Sequence, residues 1–135
     1  MITSKEMLQQ IMTEPSEVLI RDVARLKGDL MILGAGGKVG PTMAIKAKRA
    51  LTAAGPAAKG PAGSLFDSAD APTAMRNAGV EVIEADISDP QQLAALPEAE
   101  NIIYMVGRKF GTTDNEYMTW HINVTLPYLI AQRFP

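Results

Sequence analysis

Hydrophobic residues near the start of the chain recur at helical spacing. Met7, Leu8 and Ile11 share one face of a helix, and the same spacing resumes after Pro15 and continues to Gly28. A glycine is a common helix end, because it adopts the left-handed conformation without a side-chain clash. The chain up to this glycine is therefore predicted to be an N-terminal helical segment.

The remainder of the chain alternates short apolar runs with helical segments. Buried strands are predicted at Asp29–Leu33 and Asn101–Val106, and a partly alternating strand at Val80–Ala85. Helices are predicted at Pro41–Ala54, at Asp70–Ala78, from Pro90 to about Leu96, and from about Glu116 to Arg133. Residues 55–64 contain three Gly and two Pro, which favours a weak strand or a loop. The alternation predicts an α/β fold, with a parallel sheet of about four strands and helices on both faces.

Composition and charge exclude several kinds of site. The 135 residues contain no cysteine and one histidine, which excludes a disulfide scaffold, a thiolate zinc site, a cysteine nucleophile and a multi-histidine metal site. The net charge of -2 provides no basic field for nucleic acid or an anionic membrane. The longest apolar stretch, Leu30–Leu33, is too short to cross a bilayer, and the N-terminus does not resemble a signal peptide. We therefore expect a cytoplasmic protein.

The most informative motif is a glycine-rich loop at residues 34–40, between a predicted strand and a predicted helix. This context turns a glycine pattern into a phosphate-site hypothesis. Gly34 permits a tight turn, Gly37 lets a pyrophosphate approach the backbone, and Gly40 allows the helix to pack closely on the strand. The N–H groups and the dipole of that helix would then face the anion.

The spacing of the loop distinguishes it from a nucleoside-triphosphate site. The glycines at 34, 37 and 40 follow a Gly-x-x-Gly-x-x-Gly pattern. The tighter Gly-x-Gly-x-x-Gly dinucleotide pattern is not present, because its last glycine position holds Val39. A Walker A loop fails, since Lys38 is followed by Val39 and the earlier glycine position holds Ile32. The alternative to dinucleotide binding is a glycine-rich turn that holds no ligand.

Three segments together resemble the extended short-chain dehydrogenase/reductase superfamily, in its NAD-dependent epimerase/dehydratase group. They are the loop at 34–40, the stretch 82–89 with its Asp86-x-x-Asp89 pattern, and Tyr104–Gly107 followed by Trp120–Asn123. The resemblance covers roughly residues 30–135. It implies a Rossmann-like sheet whose NAD(P)-binding part is residues 29–135, with residues 1–28 outside the common core of the family.

The resemblance also implies roles for individual residues in holding NAD or NADP. The three glycines would form the pyrophosphate loop, lined by Lys38 and Val39. Asp86 would accept a hydrogen bond from the adenine amino group, and Ile87 would pack on the ring. The ribose or nicotinamide would lie beside a group of three residues, Met105, Val106 and Gly107. Asn123 would match the asparagine that supports the active site in that family.

Several of these residues have a simpler interpretation. Asp86 could be a turn residue, Asp89 is well explained as a helix N-cap, and Asn123 could bond within its own helix. Lys109 and Arg108 follow a strand on the side where such sheets bind ligands, so they could contact a cofactor phosphate or an acidic substrate. A solvated loop explains them equally well.

The chain departs from the family pattern in the second half of the cofactor site. An acid that bonds the adenosine ribose is expected about 20 residues beyond the loop. No Asp or Glu occurs between Lys38 and Asp67, and no arginine suited to a 2′-phosphate occurs there either. NAD and NADP are therefore not distinguished, and we expect weak binding.

The catalytic Tyr-x-x-x-Lys pair of the family is also absent. Four residues after the tyrosines at 104, 117 and 128 come Arg108, His121 and Gln132. Without such a pair, hydride transfer to a small-molecule substrate has no acid–base partner. The sequence predicts the NAD(P)-binding portion of an epimerase/dehydratase-like oxidoreductase. The alternatives are a non-catalytic dinucleotide-binding module and a truncated, inactive fragment that forms homo-oligomers over an exposed sheet edge.

Overall fold

The computed structural model describes residues 1–55, 71–108 and 115–135. The elements in chain order are α1 (Lys5–Thr13), α2 (Glu17–Val23), β1 (Leu30–Leu33), α3 (Gly40–Ala54), α4 (Ala71–Asn77), α5 (Pro90–Ala94), β2 (Asn101–Tyr104), α6 (Glu116–Trp120), a π-helical turn (His121–Thr125) and α7 (Leu126–Arg133). Helices make up about 53% of the described chain.

The N-terminal segment forms two capped helices. The hydroxyl of Ser4 accepts a hydrogen bond from the backbone N–H of Met7, and the hydroxyl of Ser16 accepts one from the N–H of Leu19. These bonds satisfy N–H groups that have no partner within the first turn of a helix. The second helix ends at Val23, before the predicted end at residue 28.

The sheet is smaller than the sequence predicts. The described residues contain two parallel strands, β1 and β2, paired in register from Leu30 opposite Asn101 to Leu33 opposite Tyr104. The prediction of a Rossmann-like sheet of about four strands is therefore wrong. Apart from Gly55, the weak strand predicted at residues 55–64 lies outside the described residues.

The segment Val80–Ala85, which the sequence predicts to be a strand, is one of the missing strands. Its apolar residues alternate between two clusters, with Val80 and Val82 against Ile32 on one side, and Ile83 and Ala85 against Met31 on the other. The residues are nevertheless not part of a strand. Alternating hydrophobic residues show that both sides of the segment are buried. A β-strand also requires backbone hydrogen bonds to a neighbouring strand.

Helices cover both faces of the two-stranded sheet. Successive β1 side chains point to opposite faces, so they pack against different helices. Met31 and Leu33 belong to a core cluster with residues of α5 and α7. Ile32 packs with α3 and α4, and Leu30 packs with α2 and α3. All four β1 side chains are buried, which makes this strand the centre of the fold.

The C-terminal helix widens near its middle into the π-helical turn. The N–H of Leu126 donates to the carbonyl oxygen of His121, five residues earlier. Pro127 follows at once, and a proline lacks the N–H that would bond Asn123 in a regular helix and crowds that carbonyl group. The wider turn accommodates the proline, so the predicted helix over 116–133 is continuous but locally wider.

Within residues 1–55, 71–108 and 115–135, no helix is both long enough and apolar enough to cross a bilayer.

The central position of β1 predicts a large effect of truncating Met31, which is fully buried. We expect Met31→Ala to lower the free energy of unfolding by about 2–5 kcal/mol, because it removes apolar contacts and leaves a cavity. The measurement is equilibrium urea unfolding. Met12→Ala is the control, since Met12 is 48% exposed and its truncation should cost under about 0.5 kcal/mol. Equal losses in the two variants would contradict this description of the core.

Candidate functional site

The glycine loop joins the end of β1 to the start of α3. Gly34 follows β1 directly and has a φ of +83°, in the left-handed region. A Cβ atom on this residue would lie 2.6 Å from Cγ2 of Val106 and 2.8 Å from the backbone nitrogen of Val106. Glycine is required here for two reasons, the backbone conformation and the close approach of the chain that follows β2.

The other two glycines of the motif differ in their surroundings. A Cβ atom on Gly40 would collide with the backbone of Ala35, so α3 begins in close contact with the loop. Gly37 is exposed, and the nearest atom to an added Cβ would be the carbonyl oxygen of Gly34 at 3.8 Å. Packing within the chain therefore explains the glycines at 34 and 40 but leaves the glycine at 37 open to solvent.

The first turn of α3 carries no capping side chain. Val39 occupies the N-cap position without a side-chain hydrogen bond, and the first turn contains no acidic residue. By contrast, Ser4, Ser16 and Asp89 cap α1, α2 and α5. The partial positive charge at the N-terminus of this 15-residue helix is thus not offset by a carboxylate in its first turn. Lys38 and Val39 are both exposed beside it.

The chain after β2 reaches the same edge of the sheet as the loop. The N–H of Met105 donates to the carbonyl oxygen of Leu33 at 2.8 Å, so the two parallel chains stay together beyond the strands. Met105 and Val106 are half-buried and Gly107 is exposed. The structure therefore brings five predicted residues, the three glycines with Met105 and Val106, to the carboxyl ends of the strands, where ligands bind in parallel sheets. Lys109 lies outside the described residues.

Asn123 fixes the chain that follows these residues. Its side-chain Oδ1 accepts from the backbone N–H of Arg108 at 2.9 Å, and its Nδ2 donates to the carbonyl oxygen of Arg108 at 3.0 Å. The asparagine lies in the π-helical turn and bonds a residue 15 positions earlier, rather than its own helix. It thus holds the backbone beside Gly107 in one position.

Tyr104 makes a second connection to the same turn, which the sequence analysis did not anticipate. Its hydroxyl donates to the carbonyl oxygen of Ile122 at 3.0 Å. Burial raises the pKa of the Tyr104 hydroxyl above its usual value. No local sequence signal indicates this bond, because the two residues are 18 positions apart.

Asp86 and its neighbours make mainly local contacts. The Asp86 carboxylate accepts from the N–H and the hydroxyl of Ser88, at 2.9 and 2.6 Å. Asp89 caps α5, and the hydrogen bond from the backbone N–H of Gln91 is the main cause that lowers the pKa of Asp89. Ile87 is 2% exposed and belongs to the core cluster with Met31. Its side chain thus has almost no surface on which an adenine ring could pack.

Two concave regions lie away from the loop. An apolar cavity of about 350 Å³ lies between α2, α3 and β2, and a polar cleft of about 380 Å³ lies between α1, α3 and α4. The cleft contains a hydrogen bond from the Arg49 guanidinium to the Thr13 hydroxyl. Across the described ranges, no group of three His, Cys, Asp or Glu residues is arranged to hold a metal ion.

Comparisons with known proteins add no family assignment. The chain matches none of the models of known protein families and none of the curated proteins at a significant level. The candidate site therefore depends on its own geometry, and the similarity to the epimerase/dehydratase group remains an expectation from three short motifs.

The two hydrogen bonds of Asn123 predict a specific local effect of removing its amide. We expect Asn123→Ala to speed hydrogen exchange of the Arg108 amide and to lower the free energy of unfolding by about 1–2 kcal/mol, because both bonds are lost. Asn123→Asp should keep the Arg108 amide protected, since a carboxylate oxygen still accepts its hydrogen bond.

Hydrogen exchange followed by NMR, with urea unfolding, measures both effects. Gln132→Ala is the control, because the Gln132 amide donates to the exposed Tyr128 hydroxyl four residues earlier and not to the chain near Arg108. Unchanged protection of the Arg108 amide in Asn123→Ala would contradict the role given to Asn123.

Proposed function

We propose that the loop at residues 34–40 binds the pyrophosphate of a dinucleotide, NAD or NADP. The observation that carries the proposal is the difference between its glycines. Gly34 and Gly40 are required by packing within the chain, while Gly37 is exposed and an added Cβ would lie 3.8 Å from the nearest atom, the carbonyl oxygen of Gly34. A residue without a side chain at an open position permits an anion to reach the backbone N–H groups.

The electrostatics of the loop favour an anion over a neutral ligand. The N-terminus of α3 carries a partial positive charge. Its N-cap residue makes no side-chain hydrogen bond, and its first turn contains no acidic residue. The exposed ammonium group of Lys38 adds a full positive charge nearby. A pyrophosphate carries negative charge on oxygens that accept hydrogen bonds, so it fits both features.

The rest of the dinucleotide would extend along the edge formed by the loop and Met105–Gly107. The exposed backbone at Gly107, held through Arg108 by Asn123, offers a fixed surface for a ribose or a nicotinamide ring. Asp86 is exposed and remains a candidate acceptor for an adenine amino group. The proposal leaves out Ile87, because its side chain is buried in the core.

The proposed function is binding, and hydride transfer is not part of it. The Tyr104 hydroxyl already donates a hydrogen bond to the Ile122 carbonyl oxygen, and burial raises its pKa, which makes it a poorer proton donor. The Tyr128 hydroxyl accepts from Gln132, at the position where the family has lysine. Neither tyrosine is followed by a lysine four residues later.

Isothermal titration calorimetry with NAD, NADH, NADP and NADPH tests the proposal. We expect at least one of them to bind with an affinity weaker than low-micromolar, because the second half of the site lacks a ribose-binding acid. Gly37→Val should abolish the heat of binding, since its side chain would occupy the space of the pyrophosphate.

Ala53→Val is the matched control. Ala53 is exposed near the other end of α3, so the substitution adds a similar bulk to the same helix without approaching the loop. Circular dichroism of both variants checks that they are folded. Equal affinity of Gly37→Val and the unchanged chain would overturn the site, as would absence of binding by all four dinucleotides. A low-micromolar or tighter dissociation constant would contradict the expectation of weak binding.

A further inference from the structure

Helix α1 packs against α3 with its polar side. The residues that α1 contributes to the polar cleft are Glu6, Gln9, Gln10 and Thr13. Its large apolar residues lie on the other side of the helix and are 40–51% exposed: Met7, Leu8, Ile11 and Met12. A helix on the surface of a globular protein normally buries its apolar stripe and exposes its polar side. The orientation of α1 is the reverse of this arrangement.

Hydrophobic burial contributes little to holding α1 in place. Within the described part of the chain, the three apolar core clusters contain no residue of α1. Helix α2, by contrast, contributes Val23 to the cluster with Leu30, and Leu19 packs against that cluster. Burial of apolar surface is the main favourable contribution to tertiary packing. This contribution fixes α2 on the core and is largely missing for α1.

A side-chain hydrogen bond connects the end of α1 to α3. Thr13, the last residue of α1, is 1% exposed. Its hydroxyl accepts from the Arg49 guanidinium and donates to the carbonyl oxygen of Gln9 at 2.8 Å. A hydroxyl group buried without partners is costly, and these two bonds remove that cost. The contact between Arg49 and Thr13 therefore stabilises the docked position of α1.

The linker between α1 and α2 separates the hydrogen bonds of the two helices. The helical bonds of α1 end at the N–H of Glu14, and those of α2 begin at the carbonyl oxygen of Ser16. Glu14 has an extended backbone, and Pro15 lacks the N–H with which a helix would continue. Helix α2 also has its own cap, the Ser16 hydroxyl. Movement of α1 at residues 14–16 thus breaks no hydrogen bond of α2.

We propose that α1 is a displaceable arm, which undocks from α3 while the rest of the fold stays intact. Arg49 is the latch of the arm, and residues 14–16 are its hinge. Undocking uncovers the side of α3 that lines the polar cleft, where Ile45 is 4% exposed in the docked state. A helix of nine residues is not stable alone in water, so the arm unfolds when it undocks. The arm contributes no residue to the proposed dinucleotide site, so the two are tested separately.

Native-state hydrogen exchange of the whole chain, followed by NMR in low concentrations of urea, tests the arm. We expect the amides of Ile11 and Met12 to be at least about tenfold less protected than those of Ala50 and Leu51, which are buried in α3, because local opening needs less free energy than global unfolding. Protection in α1 should also depend less on urea, since undocking exposes less surface than unfolding.

Two results in the unchanged chain would overturn the proposal. Equal protection and equal urea dependence in α1 and α3 would show that α1 opens only with the core. Absence of protection in α1 would show that the helix does not dock.

Arg49→Met removes the latch and keeps an aliphatic side chain of similar length. We expect the α1 amides to exchange about tenfold faster in this variant, because the hydrogen bond to Thr13 is lost, while Ala50 and Leu51 stay protected. Lys48→Met is the matched control. It removes a positive charge from the adjacent position of α3, but the Lys48 side chain lies beside Gly79 and does not line the cleft with α1.

The control variant should exchange as the unchanged chain does. Unchanged exchange of α1 in Arg49→Met, equal acceleration in Lys48→Met, or a matching loss of protection at Ala50 and Leu51 would each overturn the proposal. The last result also detects a variant that fails to fold, because unfolding removes protection from α3 as well.

Discussion

The close approach of Gly34 to the backbone at Val106 is the contact on which the candidate site depends. It joins the turn after β1 to the chain after β2, and any side chain at Gly34 would prevent it. The hydrogen bond from Met105 to Leu33 continues the pairing of the two chains up to this point. Because both strands are parallel, their carboxyl ends then form one edge. The loop, the N-terminus of α3 and residues 105–107 share that edge as a result.

The C-terminal helix stabilises this edge through two hydrogen-bonded contacts. Asn123 holds the backbone of Arg108, and Tyr104 bonds the carbonyl group of Ile122 in the same π-helical turn. The turn owes its width to Pro127, which cannot donate the hydrogen bond of a regular helix. The C-terminal helix therefore supports the proposed dinucleotide site through these two hydrogen bonds.

The sequence predicted the parts of the structure that local patterns determine. The strand, loop and helix around Gly34 are present, because an apolar run, a glycine turn and a helix-forming segment each follow from neighbouring residues. Asp89 acts as a helix cap, as its position before Pro90 indicates. The strand expected at Val80–Ala85 is absent, because hydrophobic alternation reveals burial but not the backbone that would pair with it. Ile87 shows the same limit, since its sequence context does not reveal that its side chain enters the core.

An anionic dinucleotide is proposed to contact the edge formed by the loop and the end of β2. NMR titration of the ¹⁵N-labelled chain with NAD and NADP measures this directly, residue by residue. We expect amide shifts concentrated at residues 36–43 and 105–107, with smaller changes at Asp86. Shifts confined to the polar cleft near Arg49 or to the apolar cavity beside α2, or no shifts with either dinucleotide, would contradict binding at this edge.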